Sequence, residues 1–216
     1  MPTTMFTSRE AIPRRCCSIS QVRVTVSIKR DPKEVEVAKI AILYGTAEGQ
    51  AARISEHIVE IARDRDHEAE AMDIKDVHAG FPLEEYDAVI VGASIHMGEH
   101  ENYVRDFVKQ NREPLERVPS AFFSVSLTAR EHTDEARAQT EGYVERFLEE
   151  TGWHPDMVGI FAGALRYTQY GFIKRHLMKK ISKDEGSADT DTSRDYEYTD
   201  WNDVRHFAEE FLEGLT

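Results

Sequence analysis

Cysteine, lysine and long apolar runs are what this 216-residue chain has little of. Its two cysteines, Cys16 and Cys17, are adjacent and lie near the N-terminus. That excludes a disulfide framework and favours a reducing intracellular compartment. No stretch approaches the roughly 18 consecutive apolar residues of a membrane-spanning helix. Arg14-Arg15 is followed by Ser, Gln and Arg where a secretory signal would place its apolar segment, so no such signal is expected. The nine histidines are scattered without metal-ligand spacing, and no Ser-His-Asp or Cys-His set is recognisable.

Positive charge is scarce too, lysine supplying only nine of the 27 cationic residues. Residues 1–39 hold eight Lys plus Arg against four Asp plus Glu, so of the formal net charge of −13, residues 40–216 carry −17. An acidic body argues against a nucleic-acid partner, because phosphate contacts need clustered cations. Acidic excess with little lysine suits a protein working in concentrated salt; plain solubility is the simpler alternative.

What is present is organised around Lys39 to Val59. Ile40 to Tyr44 is a short apolar run of the kind a buried parallel strand shows. From Ala51 the apolar positions move to helical spacing at Ile54, Ile58 and Ile61. The connection Gly45-Thr-Ala-Glu-Gly-Gln-Ala51 is small and polar and contains no Lys or Arg. Such a loop offers unpaired amides and the positive end of a helix dipole, and so can hold a phosphate without a cation. It lacks both the G-x-x-x-x-G-K-[ST] lysine and the G-x-G-x-x-G spacing, which makes a flavin mononucleotide (FMN) phosphate a better fit than ATP or NAD. An ordinary strand-to-helix turn is the bland alternative.

Residues 1–38 read as an N-terminal extension, disordered through about Val37. A helix over about 50–63 is followed by a second strand over 68–74 and a connection over 76–85. The third strand spans 86–95, with a loop at 96–100 and a helix over 101–116 with Tyr103, Phe107 and Val108 inward. A fourth strand at 120–127, a helix at 134–151 and a fifth strand at 157–165 follow. Ser182 to Glu197 is polar and acidic, the composition of a surface loop, and Asp200 is placed to cap a last helix over 201–215. Strands alternating with helices imply a parallel sheet with right-handed crossovers, helices on both faces and a ligand beyond the strands' carboxyl ends. Loops 45–51, 94–98 and 126–130 meet there.

Six segments carry a resemblance to a known family: Gly45-Thr-Ala-Glu-Gly-Gln50, Gly92-Ala-Ser-Ile95, Pro119-Ser-Ala-Phe-Phe-Ser-Val-Ser126, Ala162-Gly-Ala-Leu-Arg-Tyr167, Asp189-Thr-Asp-Thr192 and Tyr198-Thr-Asp-Trp201. In this order they resemble the menaquinone-dependent protoporphyrinogen IX dehydrogenase family of flavodoxin-like proteins, over about residues 39–215. The resemblance implies an α/β flavodoxin-like three-layer sandwich whose five-stranded parallel sheet runs in the order 2-1-3-4-5. It implies FMN-dependent oxidation of protoporphyrinogen IX to protoporphyrin IX in haem biosynthesis, with menaquinone or another quinone as acceptor. One departure is Ala51, where the family usually has a threonine whose hydroxyl meets phosphate.

On this reading Thr46, Ala47, Glu48, Gly49, Gln50 and Ala51 hold the FMN phosphate. Ser94, Ile95, His96, Met97 and Gly98 lie along one side of the flavin ring, and Ser126, Leu127, Thr128 and Ala129 along the other. Arg130, Arg166 and Tyr167 are candidate substrate contacts, the arginines suited to carboxylates. Ion pairing of Arg130 with Glu131 is the plain alternative, and hydroxyls at strand ends often only satisfy local backbone. Within 166–183, Ile173, Leu177 and Ile181 share a face flanked by Lys174, Arg175, Lys179, Lys180 and Lys183. A basic, apolar helix on an acidic protein suits an anionic membrane surface or a lipid-soluble quinone, or else simply packs on the core. The expected location is the cytoplasm, peripherally associated with the inner face of the cell membrane. Two other readings stand beside this one: a soluble flavodoxin-type electron carrier, and a scaffold whose flavin loop has decayed.

Overall fold

The computed structural model describes residues 37–78, 80–166 and 194–215. A central sheet forms from β1 (Lys39–Gly45), β2 (Glu68–Asp73), β3 (Ala88–His96), β5 (Ser120–Ser126) and β6 (Met157–Ala162), with the two-residue β4 (Glu99–His100) paired to β3. The five long strands are parallel and lie in the order β2-β1-β3-β5-β6. That is the 2-1-3-4-5 order expected, extended by one short antiparallel strand.

The two-residue period of a strand divides the core in two. Ile40, Ile42, Ala88, Ile90, Ala121 and Phe123 face α1 (Gln50–Arg63) and α5 (Trp201–Glu213). Ala41, Leu43, Val89, Val91 and Phe122 face the other way, packing with residues of α2 (Asn102–Gln110), α3 (Arg112–Leu115) and α4 (Asp134–Thr151). Phe122 is stacked on Phe147 at 4.6 Å between ring centroids, and Trp153 closes that side, fully buried. Both faces of every central strand are covered, which is why the strands read as unbroken apolar runs.

Several boundaries differ from the sequence reading. The helix expected over 101–116 is two pieces, because the Pro114 ring has no N–H to continue the ladder. Asn111 ends the first piece, its side-chain amide donating to Phe107 O at 2.9 Å. Val104 and Val108 are the buried residues of α2, whereas Tyr103 and Phe107 are only partly covered. The fifth strand breaks at Gly163, after which β7 (Ala164–Leu165) pairs antiparallel with β8 (Tyr196–Glu197), a strand inside the stretch expected to be loop. The second strand stops at Asp73, and the connection behind it holds two 3-10 turns, Ile74–Asp76 and Leu83–Glu85. Ala38, assigned to the extension, already belongs to the core, its amide donating to His67 Nδ1 at 3.2 Å. The rest of the expected extension, and residues 167–183 of the basic apolar segment, lie outside the described residues.

Candidate functional site

The carboxyl ends of β1, β3 and β5 lie side by side, and the residues leaving them build the site. At Gly45 a side chain has no room: a Cβ there would lie 2.1 Å from Val104 Cγ2 and 2.9 Å from the Tyr103 hydroxyl. The chain therefore passes close under α2. Thr46 N then donates to the Tyr103 hydroxyl at 3.0 Å, and Ala47 N to Ser94 Oγ at 3.3 Å. The loop turns through Gly49 at φ +85°, and Gly49 N donates to Thr46 Oγ1 at 2.8 Å. Among the described residues no side chain caps α1, whereas Thr133 caps α4 and Asp200, as the sequence suggested, caps α5. The uncapped N–H groups at the start of α1 keep their capacity for an anion.

Three residues of this loop behave differently from the sequence reading. Ala51 is fully buried, its methyl packed in the core with Ile54 and Ile58. The methyl packs there, while the Ala51 backbone N–H belongs to the first turn of α1. Gln50, 4% exposed, sends its side chain sideways to Thr199, Glu197 and Arg166. Thr46 receives a cation after all: Lys75 Nζ, from the turn after β2, donates to Thr46 O at 3.3 Å and lies 4.7 Å above the Tyr103 ring. Burial depresses the Lys75 pKa, but the Tyr103 hydroxyl and the carboxylates of Asp73 and Glu101 outweigh it and the net shift is upward. Glu48 sits half-buried in the same loop.

The second loop is a hairpin. Ile95 pairs with His100 and His96 with Glu99, leaving Met97 (φ +54°) and Gly98 (φ +86°) as a two-residue turn. Two positive φ values are what a type I′ hairpin needs, and a methionine there is strained. The turn holds Met97 92% exposed at its tip, with His96 exposed beside it. His100 anchors the base of the hairpin, 5% exposed, its Nε2 2.9 Å from Ser124 Oγ. The sequence offered Gly98 as a signal for this turn, but without a neighbouring Asn or Asp the stretch read as plain loop.

In the third loop Ser126 is buried and its Oγ accepts from Ala129 N at 3.2 Å, the local backbone role weighed from sequence. Leu127, Thr128 and Ala129 are half-buried, and Thr128–Arg130 form a 3-10 turn. The Arg130 side chain is 12% exposed, 3.8 Å from Glu131 and 5.2 Å above the Tyr198 ring. Tyr167 lies outside the described residues. Tyr103 and Lys75 are the site residues sequence reasoning missed. Tyr103 read as core because it falls on the apolar stripe of its helix, and Lys75 is remote from the loop in sequence.

Residues 41–193 match the flavodoxin domain family. Over 174 residues the chain is 40% identical to protoporphyrinogen IX dehydrogenase [quinone] of Leishmania major, covering 80% of this chain and 74% of that one. It is 36% identical over 172 residues to the protein of the same name from Escherichia coli strain K12, covering 80% and 93%. The chain is a flavodoxin-family member of the protoporphyrinogen IX dehydrogenase [quinone] group. Among solved structures, a short-chain flavodoxin associated with a non-canonical PDU bacterial microcompartment superposes with a TM-score of 0.51 at 9% identity, covering 83% of this chain and 97% of that one. At that identity the likeness is one of fold. The flavodoxin-like architecture expected from sequence is thus the one observed, and as a member of this group the chain is a flavin-dependent oxidoreductase.

Proposed function

We propose that this chain oxidises protoporphyrinogen IX to protoporphyrin IX with bound FMN, passing the electrons to menaquinone or a related quinone. The observation that carries the reading is the mouth itself. An uncapped helix N-terminus with the Thr46 hydroxyl opens beside a hairpin tipped by an exposed methionine and a turn bearing Arg130. Relatives bearing the dehydrogenase name match four fifths of the chain. The donor set suits a phosphate monoester, being amides and hydroxyls with Lys75 beside them. FMN, when bound, would supply the two-electron redox chemistry that the three oxidations separating porphyrinogen from porphyrin require.

The chain's own residues bind and orient. The loop 46–51 holds the phosphate end, while Met97 and His96 flank the ring on one side and Leu127 to Ala129 on the other. Arg130, held over Tyr198, pairs with a substrate propionate. No helix among the described residues is long and apolar enough to cross a membrane. Contact with the membrane, where the quinone resides, is therefore proposed as peripheral and through the basic apolar stretch 166–183, on the strength of its sequence.

The test is anaerobic incubation of FMN-loaded protein with protoporphyrinogen IX, with and without menaquinone. Porphyrin fluorescence rising beyond about a third of a flavin equivalent, all that one two-electron flavin supports over three oxidations, only when quinone is present supports the reading. Reduction of the flavin by a protein donor with no porphyrin formed would leave the electron-carrier reading instead.

A further inference from the structure

Arg166 follows β7 directly, and its guanidinium reaches the first turn of α1. Its Nη2 donates to Gln50 Oε1 at 2.9 Å, and Gln50 Nε2 donates onward to Thr199 Oγ1 at 2.8 Å and Glu197 Oε1 at 3.1 Å. Thr199 Oγ1 in turn donates to Ala162 O at 2.6 Å, tying the network to the end of β6. The Gln50 amide is thereby engaged at both ends and fixes the plane of the guanidinium. Glu197 is shared with Arg53, whose Nη1 lies 2.7 Å from Oε2, so the network holds two arginines against one carboxylate.

In this paired network one donor stands out: Arg166 Nε is buried and has no partner among the described residues. A buried charged N–H without an acceptor is expensive, and the acceptor it favours is an anion. The guanidinium, through its Nη2, reaches the first turn of a helix that no side chain among the described residues caps, at a loop that contributes no cation of its own. The backbone amides of that start and the guanidinium are complementary ways of gripping one oxyanion.

We propose that Arg166 recognises the phosphate monoester of the ligand held at the start of α1, with Gln50 as the residue that positions it. The inference deepens the FMN reading and rests on it. Arg166 then separates phosphorylated from unphosphorylated flavin, adding a charge-assisted contact to those of the neutral amides. A propionate of the porphyrinogen has related oxyanion chemistry and is the competing source of the anion.

The experiment is quenching of flavin fluorescence on titrating wild-type, Arg166→Gln, Arg166→Lys and Gln50→Ala proteins with FMN and, separately, with riboflavin. Arg166→Gln should weaken FMN binding at least about tenfold while leaving riboflavin unchanged, the size expected for a lost charge-assisted hydrogen bond. Arg166→Lys should recover part of the loss, and Gln50→Ala should show a smaller loss of the same kind. Riboflavin is the internal control, because a variant that merely folds badly loses both ligands. Equal losses for the two flavins, or none, overturn the proposal. So does a raised porphyrinogen KM with FMN affinity intact, which assigns the guanidinium to the propionate. Wild-type protein that holds FMN no better than riboflavin sinks the cofactor reading along with it, whereas a wild-type preference that survives Arg166→Gln sinks this inference alone.

Discussion

Acid should loosen the hairpin that carries His96 and Met97, and the reason lies in His100. The ring is 5% exposed and sits edge-on to Phe122 and Phe147 at centroid distances of 5.4 and 4.9 Å. Burial chiefly, and the Arg105 guanidinium after it, push its pKa from 6.5 down to about 3. The folded protein therefore keeps His100 neutral, and as pH falls the unfolded chain takes up the proton first. Stability from this group is whole above the unfolded value near 6.5 and is lost progressively as pH falls towards the folded value. Between about pH 7 and pH 5 the linkage relation gives a loss of about 2 kcal/mol from His100 alone. Urea unfolding at a series of pH values, for the wild type and for His100→Asn, isolates the term, since the amide does not titrate. The variant should be less stable at neutral pH, having lost packing, yet show a pH slope shallower by about that 2 kcal/mol over the same interval. Parallel slopes would refute the reasoning, because they would mean that His100 titrates alike in both states.

Three other outcomes follow from the same geometry. Met97→Asn, which suits the left-handed backbone at φ +54°, should raise thermal stability by roughly 0.5 kcal/mol and lower turnover, since the apolar tip is gone. Lys75→Gln should weaken FMN binding about two- to fivefold at low ionic strength, with the difference fading in concentrated salt, as for an exposed charge. Phe122→Ala should lower the free energy of unfolding by about 3–5 kcal/mol in denaturant titration, because the ring is fully buried and stacked on Phe147.

Much of the architecture was legible because buried parallel strands announce themselves. Ile40 to Tyr44 and Val89 to Ala93 are apolar on both faces, and the helices between them carry apolar residues at three- and four-residue spacing. The start and end of α1 and α4 agree with the bounds expected from sequence. The misplacements have local causes that a periodicity argument overlooks. Pro114 divides a helix, Gly163 divides a strand, and Met97-Gly98 closes a hairpin without the usual Asn-Gly or Asp-Gly pair. The candidate site was legible as three loops at one edge, but not in which side chains fill it.

The amino-acid order alone determined the alternation of strands and helices, hence a parallel sheet with its loops gathered at the carboxyl edge, because side-chain periodicity is a property of neighbours along the chain. Tertiary structure alone decided which charges meet those loops. Lys75 reaches Thr46 and Arg166 reaches Gln50 across 29 and 116 residues of sequence. Folding likewise turned Tyr103 from a core residue into a partner of the Thr46 amide, and set the Ala51 methyl in the core. Electrostatics and hydrogen bonds act over a few ångströms of space, and no spacing along the chain encodes that proximity until the sheet has brought its strand ends together.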